Sequence, residues 1–337
     1  MAGQPHALIA PFTVHGGRLD HARAAFPTVS AWTDLSTGIA PWSYPVQLEP
    51  GQLAPLPDPA VLADLEALAA RTFGVRADRV VAVPGTDLAL RLLGTVLPGD
   101  ARWLVPGYSG HRDMWQGHSA QLEQASILEP TEGVRNMVLA RPNNPDGWIA
   151  GRQALQVTAT RLSAQGGHLS IDEAFADARP GDSLSGCDWP GLIVLRSFGK
   201  FFGLAGLRLG FVIAAPDVLR PMRALLGDWP ISSPALAAGR AAYADRAWQA
   251  EQNARLHAGS QRMAALLTGH GLTIHGQTAF FTLIDCQERD ALFAHLIGTG
   301  VLTRPFAAQS RWLRLGLPGD EPGWTSLAQA LTSWRAG

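Results

Sequence analysis

The sequence predicts an α/β fold, in which a mostly parallel sheet flanked by helices forms a large domain and a smaller α/β domain follows. Short apolar runs alternate with helical patterns along most of the chain, as strands and helices do in such sheets. Several of these runs end in a polar or glycine-containing turn, and α/β sheets bind ligands at the carboxyl ends of their strands. We predict an N-terminal arm over residues 1–57, a large domain over 58–228 and a small C-terminal domain over 229–337.

Composition argues against several classes of protein. The 27 basic residues nearly balance the 28 acidic residues, whereas nucleic-acid-binding proteins usually carry a basic excess. The longest apolar runs are shorter than the roughly 20 residues of a membrane helix, and the first residues lack a signal-peptide pattern. Cys187 and Cys286 have no CxxC partner and are typical of a reducing compartment. These features predict a cytoplasmic protein, and the sequence shows no metal-ligand cluster.

The first predicted ligand-binding turn in chain order follows a helical pattern over 58–73 and a short strand over 79–83. Gly85, Thr86 and Asp87 form this turn, and a second helix begins directly after it. A helix N-terminus in this position favours anions, because its backbone N–H groups are free and the helix dipole is positive there. The alternative is an ordinary turn in which Thr86 or Asp87 caps the helix. We expect the Asp87 carboxylate to point away from any bound anion.

Two later turns carry an aromatic and an amide side chain. Tyr108 follows an apolar run over 102–105, and Asn144 follows another over 137–140. Asn144 precedes a proline, which excludes helical backbone and presents the amide from a turn. Tyr108 can lie on a flat ligand, although packing alone would also account for a tyrosine there. Three residues after Tyr108 are expected at the surface or rim: His111, Arg112 and His118.

The strongest candidates for chemistry are Asp172, after a strand over 167–171, and Lys200, after an apolar run over 192–195. A carboxylate at a strand end can pair with a protonated ring nitrogen, or it can simply be solvated. Phenylalanines on both sides of Lys200 are expected to desolvate its amine, which favours the neutral form that attacks carbonyl groups. Ser197 and Arg208 can converge on a phosphate. The alternative for Lys200 is a loop side chain in solvent.

Two arginines near the C-terminus, Arg304 and Arg314, lie on or beside apolar strands. A guanidinium in an apolar setting needs an anionic partner. A substrate carboxylate or phosphate would satisfy this need, and so would an internal salt bridge to Asp or Glu.

The segment from Arg196 to Gly210 resembles the lysine motif of fold-type I enzymes that use pyridoxal 5'-phosphate (PLP), the aspartate aminotransferase superfamily. The Asn144 turn and the Asp-Glu-Ala-Phe sequence at 172–175 resemble two further motifs of that superfamily. The resemblance implies a Schiff base between Lys200 and PLP, Asp172 at the ring nitrogen, and Asn144 at the phenolic oxygen. It also implies further cofactor contacts, from Tyr108 on the ring and from Gly85, Thr86, Asp87, Ser197 and Arg208 at the phosphate.

The N-terminal arm resembles the threonine-phosphate decarboxylases of cobalamin biosynthesis, through His-Gly-Gly at 15–17 and Asp-Leu-Ser-Thr-Gly-Ile-Ala-Pro at 34–41. In that family the arm closes over the substrate, which implies that His15 and Gly16 contact its phosphate. Gly38 and Arg314 would bind its carboxylate, and Arg304 would be a second anion contact.

The implied reaction converts O-phospho-L-threonine to (R)-1-aminopropan-2-ol phosphate, and O-phospho-L-serine is a possible further substrate. The implied assembly is a homodimer. A PLP-dependent aminotransferase such as histidinol-phosphate aminotransferase is the main alternative. A protein that uses this fold only for binding is the other alternative. Four positions depart from the relatives' patterns: Ala40 replaces Asn, Arg141 replaces Asn, Phe175 replaces Tyr, and Gly199 replaces Ser or Thr.

Overall fold

The computed structural model describes residues 8–47, 49, 51–115, 119–124 and 133–336. The chain divides into two compact units. The terminal unit contains both chain ends and comprises residues 1–42, 145–147 and 253–337. The central unit comprises residues 43–144 and 148–252. The three-part division at residues 57 and 228 stays a prediction.

The helices and strands of the described residues follow in chain order. The helices are α1 Leu19–Ala25, α2 Pro59–Phe73, α3 Thr86–Val96, α4 Ser109–Asp113, α5 Arg152–Ala164, α6 Phe198–Phe201, α7 Pro216–Leu226, α8 Ser233–Ala244, α9 Arg246–Gly269, α10 Arg289–Gly298 and α11 Glu321–Ala336. The strands are β1 Thr33–Asp34, β2 Val80–Val83, β3 Ala101–Val105, β4 Ser119–Glu123, β5 Asn136–Ala140, β6 His168–Asp172, β7 Leu192–Ser197, β8 Gly210–Ile213, β9 Thr273–Gln277, β10 Phe281–Asp285, β11 Val301–Leu302, β12 Arg304–Pro305 and β13 Trp312–Gly316. Within the described ranges, no helix combines the length and apolar character that crossing a membrane requires.

The central unit is built on a seven-stranded sheet with the order β2-β8-β7-β6-β5-β3-β4. Strands β3 to β7 pair in parallel, and β8 is antiparallel to both of its neighbours, β7 and β2. Strands β2, β5 and β7 are buried along their whole length, which agrees with the apolar runs in the sequence. The turns after β2, β3, β5, β6 and β7 therefore lie at one edge of the sheet.

Local sequence signals account for the helix ends. Helix α2 begins after Asp58, whose side chain accepts a hydrogen bond from the N–H of Ala60, and it ends at Gly74 in the left-handed conformation. This agrees with the predicted helix over 58–73. The chain between residues 233 and 269 is helical except at one residue, which separates α8 from α9. Asp245 lies between them and accepts a hydrogen bond from the N–H of Trp248, which caps the start of α9.

The terminal unit contains a four-stranded antiparallel sheet with the order β12-β13-β10-β9. Its strands β12 and β13 place Arg304 directly opposite Arg314. A second, two-stranded sheet pairs β1 in parallel with β11, so that residues from both ends of the sequence lie side by side. The segment after β1 reaches β13, since the N–H of Gly316 donates to the carbonyl of Leu35.

Candidate active site

A cavity of about 770 Å³, counted to its open mouth, lies at the carboxyl edge of the central sheet. All nine residues that the sequence predicts as cofactor contacts line it: Gly85, Thr86, Asp87, Tyr108, Asn144, Asp172, Ser197, Lys200 and Arg208. Eight of the nine residues lie at or after the carboxyl ends of β2, β3, β5, β6 and β7, and Arg208 lies just before β8, which runs antiparallel to β7. The sheet itself therefore brings them together.

One end of the cavity is suited to a phosphate. Gly85 has φ +86° and precedes the N-terminus of α3, where backbone N–H groups lack partners within the helix. A Cβ on Gly85 would lie 2.5 Å from the Nη2 atom of Arg208, so only glycine allows the guanidinium to approach this turn. Arg208 itself has φ +55°, a strained conformation for a residue with a side chain. With the hydroxyls of Thr86 and Ser197, these groups form a donor set that fits a dianion.

Asp172 also lines the cavity and is 6% exposed. Its Oδ1 accepts a hydrogen bond from the N–H of Ala174 at 3.0 Å, and its Oδ2 lies 3.2 Å from Nε2 of His111. The prediction that His111 lies at the surface is therefore wrong: its side chain is fully buried. Arg112 is exposed as predicted, and His118 lies outside the described residues.

Lys200 lies on the short helix α6 and also lines the cavity. Lys200 is the only lysine in the sequence. This alone could have identified it as the candidate for an attacking lysine amine. The aromatic residues around it anchor this helix: Phe198 stacks on Phe202 with 4.5 Å between ring centroids, and Phe202 stacks on Trp248 at 5.6 Å. Gln252 adds a hydrogen bond to the carbonyl of Phe201 at 2.8 Å. The lysine therefore extends from a rigid base.

The structure explains two of the four departures from the relatives' patterns. A Cβ at Gly199 would lie 2.6 Å from the Cα of Ala205, so neither serine nor threonine fits without a backbone shift. Arg141 is 4% exposed and ties the Asn144 turn to neighbouring loops, since it donates to the carbonyl of Ala150 at 2.9 Å and pairs with Asp182 at 2.8 Å. The remaining two departures, Ala40 and Phe175, are buried side chains.

A buried ion network lies directly behind the site residues on β6 and β7. The Glu173 carboxylate accepts hydrogen bonds from the N–H of Leu184 at 2.6 Å and the hydroxyl of Ser183 at 2.5 Å. Arg196 lies 3.3 Å from Glu173 and also pairs with Asp177. Burial opposes the charge of Arg196, but the carboxylates of Asp177 and Glu173 outweigh it and raise the pKa of the guanidinium. The network thus links Glu173, which follows Asp172 in the sequence, to Arg196, which precedes Ser197.

Replacing Arg196 with methionine is expected to destabilise the protein by about 3–5 kcal/mol, because it leaves the Glu173 charge buried without its cation. The free energy of unfolding, measured by urea denaturation, checks this. The control is Arg76→Met, which breaks the exposed pair with Asp78 and should leave the denaturation midpoint unchanged. Equal midpoints for the Arg196 variant and the control would contradict the role given to this network.

The predicted substrate residues lie together in the terminal unit. The Nη2 atom of Arg314 donates to the carbonyl of Ser36 at 3.1 Å, and the Ser36 hydroxyl accepts from the N–H of Gly17 at 2.7 Å. Gly16 packs so closely on this turn that a Cβ would lie 2.3 Å from the Ser36 carbonyl. His15 beside it is exposed, and Gly38 is buried in the loop after β1. The two N-terminal patches singled out in the sequence are thus joined by a hydrogen bond.

Arg304 and Arg314 differ in their surroundings. Arg304 donates to the carbonyls of Phe12 and Val14, and it forms no ion pair within the described part of the chain. Burial lowers the pKa of Arg304 to about 10. Burial, together with the charge of Arg304, lowers the pKa of Arg314 to about 9. An anion bound beside these two guanidinium groups would stabilise their charged forms and so raise both pKa values.

Comparison with known proteins identifies the family. A family model described as Aminotransferase class I and II matches residues 40–331. The chain belongs to this family. Membership confirms the predicted α/β fold and, with the relatives described next, the predicted cofactor PLP. The donor set at Gly85 and Arg208, the lysine and the buried carboxylate all fit that cofactor.

Two members of the aminotransferase class I and II family and one solved structure are especially similar. The threonine-phosphate decarboxylase of Pseudomonas aeruginosa is 38% identical over 95% of this chain and 98% of its own length. A threonine-phosphate decarboxylase from Sinorhizobium sp is 34% identical, with 94% and 97% covered. The histidinol-phosphate aminotransferase of Sinorhizobium meliloti, solved in complex with PLP, superposes with a TM-score of 0.81 at 21% identity, over 99% of both chains.

Proposed function

We propose that this chain is a PLP-dependent decarboxylase that converts O-phospho-L-threonine to (R)-1-aminopropan-2-ol phosphate for cobalamin biosynthesis. The observation that carries the proposal is the 38% identity to a threonine-phosphate decarboxylase over 95% of the chain. The activity predicted from the sequence is the activity that the name of this relative states. O-Phospho-L-serine differs from the proposed substrate by one methyl group and is a second expected substrate.

The central unit supplies the groups that hold the cofactor. PLP, when bound, supplies an electron sink for the pair released from the bond that breaks at the substrate Cα. Lys200 attaches the cofactor, and the groups at Gly85, Thr86, Ser197 and Arg208 bind its phosphate. Asp172 holds a proton at the ring nitrogen, because a carboxylate stabilises the charged form of its partner. Asn144 donates to the phenolic oxygen.

The terminal unit is proposed to bind the two anionic groups of the substrate. Arg314 binds the carboxylate bidentately with help from the Gly38 turn, and the His15-Gly16 segment contacts the phosphate. Arg304, whose guanidinium donates to the carbonyls of Phe12 and Val14, holds that segment and adds positive potential. The Lys200 amine, when it is not bound to the cofactor, would hold the proton that replaces CO2 at the substrate Cα.

Replacing Arg314 with glutamine is expected to weaken binding of a substrate analogue by roughly 10- to 100-fold, since a hydrogen bond to a charged group contributes about 1.5–3 kcal/mol. The analogue is 3-phosphonopropionate, which has both anionic groups but no amine and so does not react. Calorimetry on the holoenzyme measures the dissociation constant. The control Arg311→Gln removes an exposed arginine that pairs with Asp285 near the same strand, and it should bind like the wild type. Unchanged binding by the Arg314 variant would remove this residue from the substrate site.

Aminotransfer is the second candidate, because the structural neighbour in complex with PLP is a histidinol-phosphate aminotransferase. The test incubates the PLP-loaded enzyme with carboxyl-labelled O-phospho-L-threonine and follows labelled CO2 and the amine product. Release of both supports the decarboxylase. Absence of CO2, together with conversion of bound PLP to its amine form by histidinol phosphate, would replace the decarboxylase with the aminotransferase. If neither reaction occurs, the remaining alternative is a protein that uses this fold only for binding.

We also propose a cytoplasmic homodimer, as the family resemblance implies. Light scattering of the purified holoenzyme tests the assembly, and a monomer at all concentrations would overturn it.

A further inference from the structure

Tyr108 is held at its hydroxyl by a carboxylate of the neighbouring helix α3. The hydroxyl donates to the Asp87 Oδ1 atom at 3.1 Å, and the Oδ2 atom of the same carboxylate lies 3.4 Å from Nε of Arg91, one helical turn on. Burial, followed by the charge of Asp87, raises the pKa of Tyr108 well above its usual range, so the hydroxyl keeps its proton. Both Tyr108 and Asp87 line the cavity.

The Tyr108 ring also has a neighbour of its own. His111 contacts it edge to face, with 5.5 Å between ring centroids and 86° between the planes, and His111 in turn contacts Asp172. A tyrosine side chain has only two rotatable bonds, so a tether at the hydroxyl and a contact at the ring define its orientation. A phenylalanine would keep the ring contact and lose the tether.

We propose that Asp87 is a positioning residue, whose side chain holds the Tyr108 ring in the orientation that stacks on the cofactor. The inference rests on the proposed function, because it assigns the stacked ligand as PLP. Arg91 offsets the negative charge of Asp87, which would otherwise repel the cofactor phosphate at the start of α3. The Asp87 side chain thus acts through Tyr108, while the phosphate contacts at this turn come from backbone N–H groups.

A double-mutant cycle on PLP affinity tests the inference. Asp87→Ala and Tyr108→Phe should each weaken PLP binding about tenfold, the usual size for loss of one such hydrogen bond. The double variant should also be about tenfold weaker, because the second change removes nothing further. Asp87→Asn should bind nearly as well as the wild type, since its amide oxygen still accepts the hydroxyl proton. A hundredfold loss in the double variant, or full affinity in Asp87→Ala, would overturn the inference.

A second readout uses the apoprotein and does not depend on PLP. The pKa of Tyr108 is raised partly by Asp87, so Asp87→Ala should lower it, and tyrosinate absorbance should appear at lower pH than in the wild type. The new absorbance should vanish in the double variant, which lacks the Tyr108 hydroxyl. Tyr44 and Tyr243 also have raised pKa values, but Asp87 is not among the causes. Their tyrosinate absorbance should therefore be the same in the wild type and in Asp87→Ala. A shift in tyrosinate absorbance without any PLP binding would reject the proposed function and keep the tether, whereas an unshifted titration would reject the tether itself.

Discussion

Replacing Lys200 with arginine is expected to abolish decarboxylation, with a loss on the order of 10⁶-fold in kcat, as found when other enzymes lose a covalent nucleophile. Arginine keeps the positive charge, but its guanidinium does not form the covalent bond that attaches the cofactor. Borohydride reduction of the loaded enzyme measures the attachment directly. The wild type should gain one pyridoxyl group, and the variant should gain none.

The sequence makes this experiment unusually clean, because it contains a single lysine. An endoprotease specific for lysine should cut the denatured wild type once, after residue 200, and reduction should block that cut. The control variant Lys200→Arg/Arg220→Lys moves the only lysine to the exposed Arg220 position on α7. It should be cut after residue 220 with or without reduction. Reduction that blocks this cut, or activity that survives in Lys200→Arg, would contradict the assigned role.

Replacing Asp172 with asparagine is expected to lower kcat by roughly 10²–10³-fold, the usual size when a group aimed at transition-state charge is removed. Asparagine keeps the shape and the contact with the N–H of Ala174, so the variant should fold. It lacks the charge that keeps a proton on the ring nitrogen. The measurement is kcat for CO2 release, with PLP affinity determined in parallel so that loss of cofactor is not mistaken for loss of catalysis.

The control for the Asp172 variant is Asp188→Asn, which changes a carboxylate that is 91% exposed and pairs with Arg79 away from the cavity. Its kcat should equal that of the wild type. An Asp172→Asn enzyme that retains more than about a tenth of wild-type kcat would mean that the ring nitrogen does not need this carboxylate, since removal of such groups normally lowers the rate at least about 100-fold.

Several features of this protein follow from short stretches of sequence. The Asp58 cap and the glycine after Phe73 define helix α2, and apolar runs define the strands whose carboxyl ends carry Asp172 and Lys200. Such signals are local, because a cap, a turn or a strand end is determined by neighbouring residues. Parallel pairing then brings the strand ends to one edge. With the family resemblance, this made it possible to predict the residues that line the cavity without coordinates.

The tertiary structure alone decided which distant side chains meet. Burial of His111 against Asp172, the pairing of Arg141 with Asp182 and the bonds from Arg304 to Phe12 and Val14 join residues far apart in sequence. No local pattern encodes these contacts, because a histidine or arginine has the same local sequence whether it meets solvent or a buried carboxylate. Packing of the sheet and loops determines the partner, and a buried polar group must find one to offset its desolvation.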